Sequence, residues 1–174
     1  MIYAILILSV LLFLVMPQQA MLEYGVSSAC MCNSYCYMLM HASWLHLFIN
    51  VLSMLILWFP VRRLYVMRYN TEAHILHYAT YFAALLAGLV CAVELPTVGM
   101  SGCVFFLLGL LLMLNPTKRQ ALNYLWIVAT LIVQWYFGKS NVALHIFAFV
   151  EGCLFVCVRE FIYQYVNPGR VYKD

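Results

Sequence analysis

Apolar runs of membrane-crossing length, broken by short polar interruptions, occupy nearly the whole chain. Met1 to Met16 is almost continuously apolar and halts at Pro17-Gln18-Gln19. It lacks the basic n-region of a signal peptide, so it is predicted as a first span that continues past Pro17 to Leu22. Glu23 to Met40 reads as a loop without Lys or Arg. His41 to Phe59 is the second predicted span, ended by Pro60 and followed by Arg62, Arg63 and Arg68. The third runs from about Leu76 to Val93, and Glu94-Leu95-Pro96 turns the chain into the fourth, about Val98 to Leu114. Asn115 to Arg119 is a turn signal, Ala121 to Phe137 a fifth span, Gly138 to Asn141 a further turn, and Val142 to Val166 a sixth. These lengths bracket the roughly 20 residues that cross about 30 Å of hydrocarbon. The expected architecture is therefore an all-α membrane protein, a six-helix bundle forming one domain over residues 1–174.

Composition agrees with that pattern. The chain is 67% hydrophobic and 9% charged, with a mean hydropathy of +0.94, more apolar than a water-soluble domain tolerates. Nine Lys and Arg against six acids leave a net charge of +3, too small and too dispersed for a nucleic-acid surface. With both termini cytoplasmic, the inside collects Arg62, Arg63, Arg68, Lys118, Arg119, Arg159, Arg170 and Lys173, and the outside only Lys139. The positive-inside rule favours that orientation. Of the seven cysteines, Cys91, Cys103, Cys153 and Cys157 lie in apolar runs, where cysteine is a small hydrophobe. Cys30, Cys32 and Cys36 share the first loop. A metal site built from that trio with His41 lacks a paired ligand spacing, so a loop disulfide or free thiols is the favoured reading.

The informative residues are the polar ones inside the apolar runs. Thr97-Val98-Gly99-Met100-Ser101-Gly102 sets a hydroxyl between two glycines where a loop enters the fourth span. A lone Gly-x-Ser-Gly is a weak signal, because a serine in an apolar helix usually bonds its own backbone. Counting from Pro96, Asn141 and His41, however, Ser101, His145, His46 and Asn50 fall five, four, five and nine residues on, or about 6 to 14 Å inside their helices. Polar groups in a bilayer normally face the bundle or a wet cavity, so four at one level from three spans point to a common site. Each histidine alone is as well explained by a bond to a neighbouring helix. Helical spacing gathers Ser101, Gly102, Phe105 and Gly109 on one face of the fourth span, and His145, Ala148 and Gly152 on one stripe of the sixth. Small residues on facing stripes let two helices approach closely, which would bring the Ser101 hydroxyl to the His145 imidazole.

These residues carry a resemblance. His41-Ala-Ser-Trp-Leu-His46-Leu-Phe-Ile-Asn50 resembles the second-helix signature of the rhomboid intramembrane serine proteases. Gly99-Met100-Ser101-Gly102, with Gly109 eight residues beyond the serine, is similar to their nucleophile motif, and His145 with Gly152 to their base-bearing sixth helix. The resemblance covers about His41 to Val166. The chain departs from the family pattern at Leu144, at Ala148 where a glycine is usual, and at Phe105 where a tyrosine commonly stacks on the base. Its first loop also lacks the usual Trp-Arg pair.

The resemblance implies a serine endopeptidase that cuts transmembrane helices of other proteins near their outer end, in a multi-pass membrane setting of which the bacterial cytoplasmic membrane is the favoured example. Ser101 is the implied nucleophile and His145 its general base, without a third, acidic member. His46 and Asn50, with the Ser101 backbone N–H, are the implied oxyanion donors. His41 becomes a structural or water-ordering residue at the cavity mouth, with Gly99, Gly102, Phe105, Gly109, Ala148 and Gly152 in support. No metal, organic cofactor or nucleic acid is called for; the partners are the bilayer and substrate helices. Glu151 lies about 120° around the sixth helix from His145 and has no assigned role. Two other readings remain: a rhomboid-like pseudoprotease that binds helices without cutting, and a small six-helix transporter, which the scarcity of intramembrane charge disfavours.

Overall fold

The computed structural model describes residues 2–115 and 141–167. The expected fifth span, Ala121 to Phe137, lies outside the described residues, as do most of the two turns flanking it and the bases Lys118, Arg119, Lys139, Arg170 and Lys173. The described residues are helical, with no extended sheet: α1 (Ile2–Val15), α2 (Gln18–Glu23), two short 3-10 turns (Met31–Tyr35 and Tyr37–Leu39), α3 (Trp44–Tyr69), α4 (His74–Val90), α5 (Ser101–Leu114) and α6 (Val142–Val166).

Helix α5 is the centre of the bundle. It is apolar all round, as a helix enclosed by others must be, and Gly102 to Leu107, Gly109, Leu110 and Leu114 are buried against α3, α4 and α6. Its tightest partner is α6. A Cβ on Gly109 would overlap the Phe149 carbonyl and stand 3.0 Å from the Cys153 nitrogen; one on Gly152 would overlap the Phe106 carbonyl and stand 3.1 Å from Gly109 Cα. The two helices therefore meet backbone to backbone, as the small-residue stripes predict.

Several expected bounds are corrected. The first helix does not run to Leu22: α1 stops at Val15, and Pro17, extended at φ −60° and ψ 144°, starts the separate helix α2. A proline is well suited to begin a helix and weakens one already running, because it removes a backbone hydrogen bond and crowds the preceding turn. The segment Glu23 to Met40 is not plain loop, since it holds both 3-10 turns. Proline at position 60 does not end α3, which continues to Tyr69. Met54, Trp58, Val61, Tyr65 and Tyr69 form one buried stripe at helical spacing, and that packing outweighs the single backbone bond a proline removes. The helix ends at Asn70, in the left-handed region at φ 46°, a conformation asparagine tolerates at a helix C-terminus. Helix α3 starts at Trp44 rather than His41, Ser101 is the first residue of α5 and His145 follows closely on the α6 start at Val142, so the inset of about 6 to 14 Å holds for Asn50 and not for Ser101, His46 or His145.

Helices α3 and α6 are long and apolar enough to cross a membrane, whereas α1, α4 and α5 are shorter apolar helices. Only 28% of the most apolar window of α3, and likewise of α6, is buried. Phe48, Ile56, Leu154 and Phe161 instead present exposed side chains, the pattern expected of a helix with lipid on one side.

Candidate active site

The serine is delivered by a tethered loop. Val26 and Thr97 exchange a pair of backbone hydrogen bonds (2.9 and 2.8 Å), Ser28 N–H donates to the Val93 carbonyl (2.8 Å), and Gly99 N–H donates to the Tyr37 carbonyl (3.0 Å). Gly99 then turns the chain at φ +108°, where a side chain would be strained. A Cβ there would also lie 2.7 Å from His46 Cε1 and 3.3 Å from Asn50 Nδ2. The backbone entering α5 thus lies directly on two polar side chains of α3.

The next residue but one is Ser101. Its Oγ is 2.8 Å from His145 Nε2 on α6. With Nε2 accepting, Ser101 Oγ–H is the donor and the proton of a neutral ring sits on Nδ1. His145 Nδ1 is buried and has no hydrogen-bond partner among the described residues, so there the contact joins two side chains and no third. The Phe105 ring, one turn after Ser101 on α5, stacks on the imidazole at 4.5 Å with an interplanar angle of 15°. Ala148 beneath it is fully buried. A ring held between a stacked aromatic and a close helix has few orientations other than the one that faces the hydroxyl.

Hydrogen-bond donors surround the same point. Met100 gives α5 no side-chain cap, and the first intrahelical bond is Val104 N–H to Met100 carbonyl at 3.2 Å, so the N–H groups at the helix start have no acceptor within the helix. On α3, Ser43 caps the helix by accepting from His46 N–H. The Ala42 N–H donates to His46 Nδ1 at 3.5 Å, which leaves the proton of a neutral ring on Nε2, the nitrogen facing Gly99. Asn50 is buried and spends one amide N–H on the His46 carbonyl at 3.0 Å.

His41, expected at a cavity mouth, is fully buried, with Nδ1 3.3 Å from the Leu39 carbonyl, its ring edge-on to His46 at 5.2 Å, and Nε2 without a hydrogen-bond partner among the described residues. Burial first, and then the neighbouring His46, push its pKa down to about 4. Cys30, Cys32 and Cys36 are free thiols, with the sulfurs of Cys30 and Cys32 3.3 Å apart. Glu151 is part-buried on α6, and its Oε2 has no hydrogen-bond partner among the described residues.

Two residues of this neighbourhood were not singled out from sequence. Asn141 accepts from Leu144 N–H (3.1 Å) as the α6 cap, while its amide donates to the Cys91 carbonyl (2.6 Å) and to Thr97 Oγ1 (3.3 Å). An asparagine just before an apolar run is a recognisable helix-start signal. Tyr37 is fully buried. Its hydroxyl donates to the Ala84 carbonyl at 2.6 Å and packs on Gly102, and no local sequence pattern marks it.

Comparison with known families gives one match: residues 28–159, well over half of the chain, fit the rhomboid domain. Curated proteins give no match.

Proposed function

The chain belongs to the rhomboid family, whose members are generally intramembrane serine proteases, and we propose that it is an active one, an endopeptidase cutting transmembrane helices near their outer end. The observation that carries this reading is the 2.8 Å contact between Ser101 Oγ and His145 Nε2. Ser101 Oγ attacks the scissile carbonyl carbon while its proton passes to His145 Nε2. The C–N bond then breaks, the imidazolium returns that proton to the leaving amine, and an acyl-serine remains. Water, deprotonated by the same imidazole, hydrolyses the ester and restores the serine.

The negative charge on the carbonyl oxygen requires donors. His46 Nε2–H, the second amide N–H of Asn50 and the Ser101 backbone N–H are the candidates, each worth about 3 to 4 kcal/mol in the transition state. The start of α5 adds partial positive charge. A substrate backbone is shielded while helical, so the substrate has to unwind locally before attack. The protein is a membrane protein, and we further propose six spans with both termini cytoplasmic, a topology in which Ser101 lies toward the outer face.

The test is incubation of the purified protein with a model transmembrane substrate, beside Ser101→Ala and His145→Ala. We expect cleavage by the wild type only, with all three proteins equally folded, and covalent labelling of the wild type but not Ser101→Ala by a fluorophosphonate. An intact fold that neither cleaves nor labels would make the chain a pseudoprotease.

A further inference from the structure

At the opposite end of the bundle from Ser101, the C-terminal ends of α3 and α6 enclose a cleft of about 330 Å³ lined by Tyr69, Asn70, Thr71, Arg159, Tyr163 and Asn167, with Ile162 and Val166 at its side. Arg159 lies fourteen residues beyond His145 on the same helix, about 21 Å along its axis. The dyad chemistry uses none of these groups.

The acid next to Arg159 in sequence does not line the cleft and is engaged elsewhere. Glu160 is engaged by Arg68 Nε at 3.1 Å and by the Tyr69 hydroxyl at 3.3 Å, and Gln164 adds a further bond to it at 3.3 Å. Among the described residues lining the cleft, Arg159 is therefore the sole charged side chain. Its Nε donates to the Tyr65 hydroxyl at 3.0 Å, and its guanidinium lies over the Tyr69 ring at 5.5 Å. Those contacts fix the plane of the guanidinium while leaving its two terminal amino groups unused among the described residues. A half-buried, pre-oriented arginine fork with free N–H groups matches two oxygens of one phosphate. Asn70, Thr71 and Asn167 add neutral polar groups around it, and the apolar flank of Ile162 and Val166 leads onto the exposed faces of Phe161 and Tyr165.

We propose that this cleft binds the phosphate of an anionic phospholipid headgroup, with Arg159 as the bidentate ligand and the outer face of α6 as the bed for an acyl chain. Basic pockets between transmembrane helices suit such headgroups. The apolar flank is what separates a lipid from a free phosphate ion, which has no use for it.

Native mass spectrometry of the full chain in detergent, titrated with phosphatidylglycerol, phosphatidylcholine or inorganic phosphate, tests this. We expect one phosphatidylglycerol retained at roughly tenfold lower concentration than phosphatidylcholine, and no displacement by equimolar inorganic phosphate. Arg159→Gln should weaken retention about tenfold and Arg159→Lys severalfold, because an ammonium lacks the fork. Thr71→Asp, which puts an anion in the cleft without disturbing Tyr65, should release the lipid, and Arg62→Gln with Arg63→Gln, exposed and outside the cleft, should not. Equal retention by Arg159→Gln and Thr71→Asp, equal loss in the Arg62/Arg63 variant, or displacement by equimolar inorganic phosphate would each overturn the assignment.

Discussion

Replacing Gly152 by alanine tests how strictly the α5–α6 contact sets the dyad. The added methyl would stand 3.1 Å from both Gly109 Cα and Leu110 N and would overlap the Phe106 carbonyl. Carbon–carbon contacts are comfortable at about 3.5 to 4.0 Å, so the helices must part by about 0.5 to 1 Å. None of the neighbours is a flexible side-chain end, so there is no cheaper escape. Overpacking of this kind costs about 1 to 3 kcal/mol, less than the about 5 to 15 kcal/mol by which folded proteins are stable; the variant should fold. Gly152 is seven residues from His145, about 10 Å along the helix. A separation of that size carried to the dyad stretches the 2.8 Å contact to about 3.3 Å or more, beyond a good hydrogen bond. Misplacement by about 1 Å is enough to cost about 100-fold in rate, or about 2.7 kcal/mol of barrier. Cleavage of a transmembrane reporter under single-turnover conditions, with thermal unfolding in the same detergent, reads both effects. The outward-facing Leu154→Ala should leave both nearly unchanged. Gly109→Ala should resemble Gly152→Ala, and the double variant should cost less than the sum, because both methyls push on one interface. Wild-type cleavage and stability in Gly152→Ala would refute the reasoning.

Three further outcomes follow from named contacts. Asn141→Ala removes the α6 cap and both bonds to the Cys91 carbonyl and Thr97, and should lower stability by about 2 kcal/mol, seen as a lower unfolding midpoint in detergent. Phe105→Leu keeps an apolar side chain but loses the ring stacked on His145; since aromatic pairs add about 0.5 to 1.5 kcal/mol, fluorophosphonate labelling should slow about threefold to tenfold with substrate KM unchanged. His41, held down to about 4 by burial, takes up a proton more readily when unfolded, where its pKa is about 6.5. Its stabilising contribution is full above about pH 6.5 and is lost as pH falls toward 4, at up to about 1.4 kcal/mol per pH unit. His41→Gln should therefore flatten the pH dependence of unfolding between about pH 6.5 and 4; an unchanged slope would mean that His41 is not the group responsible.

Much of the site was legible because helical periodicity is a strong constraint on a chain this apolar. Ser101 with Phe105 and Gly109, and His145 with Ala148 and Gly152, fall on facing stripes by spacing alone, and those stripes meet. Pro60 was misread for the opposite reason. It is a local stop signal, and the buried stripe from Met54 to Tyr69 overrides it through contacts with distant segments. The placement of His41 and Tyr37 was likewise not local information. Whether a residue between helices is at a rim or in the interior depends on how the first loop folds back, through Val26 to Thr97 and Tyr37 to Gly99, and those pairings leave no periodic trace. His41 carries a motif but no sign of its depth, and Tyr37 carries neither, although both are fully buried.

The glycine contact between α5 and α6 also decides where this molecule can yield. Two helices whose main chains touch have no side chains between them to re-pack, so neither can slide or tilt against its partner by small rotamer changes. Serine and histidine consequently ride on one stiff block. Under the proposed protease reading, an incoming polypeptide would reach that block by displacing the first-loop segment tethered through Val26, Ser28 and Tyr37, while the block itself stays still.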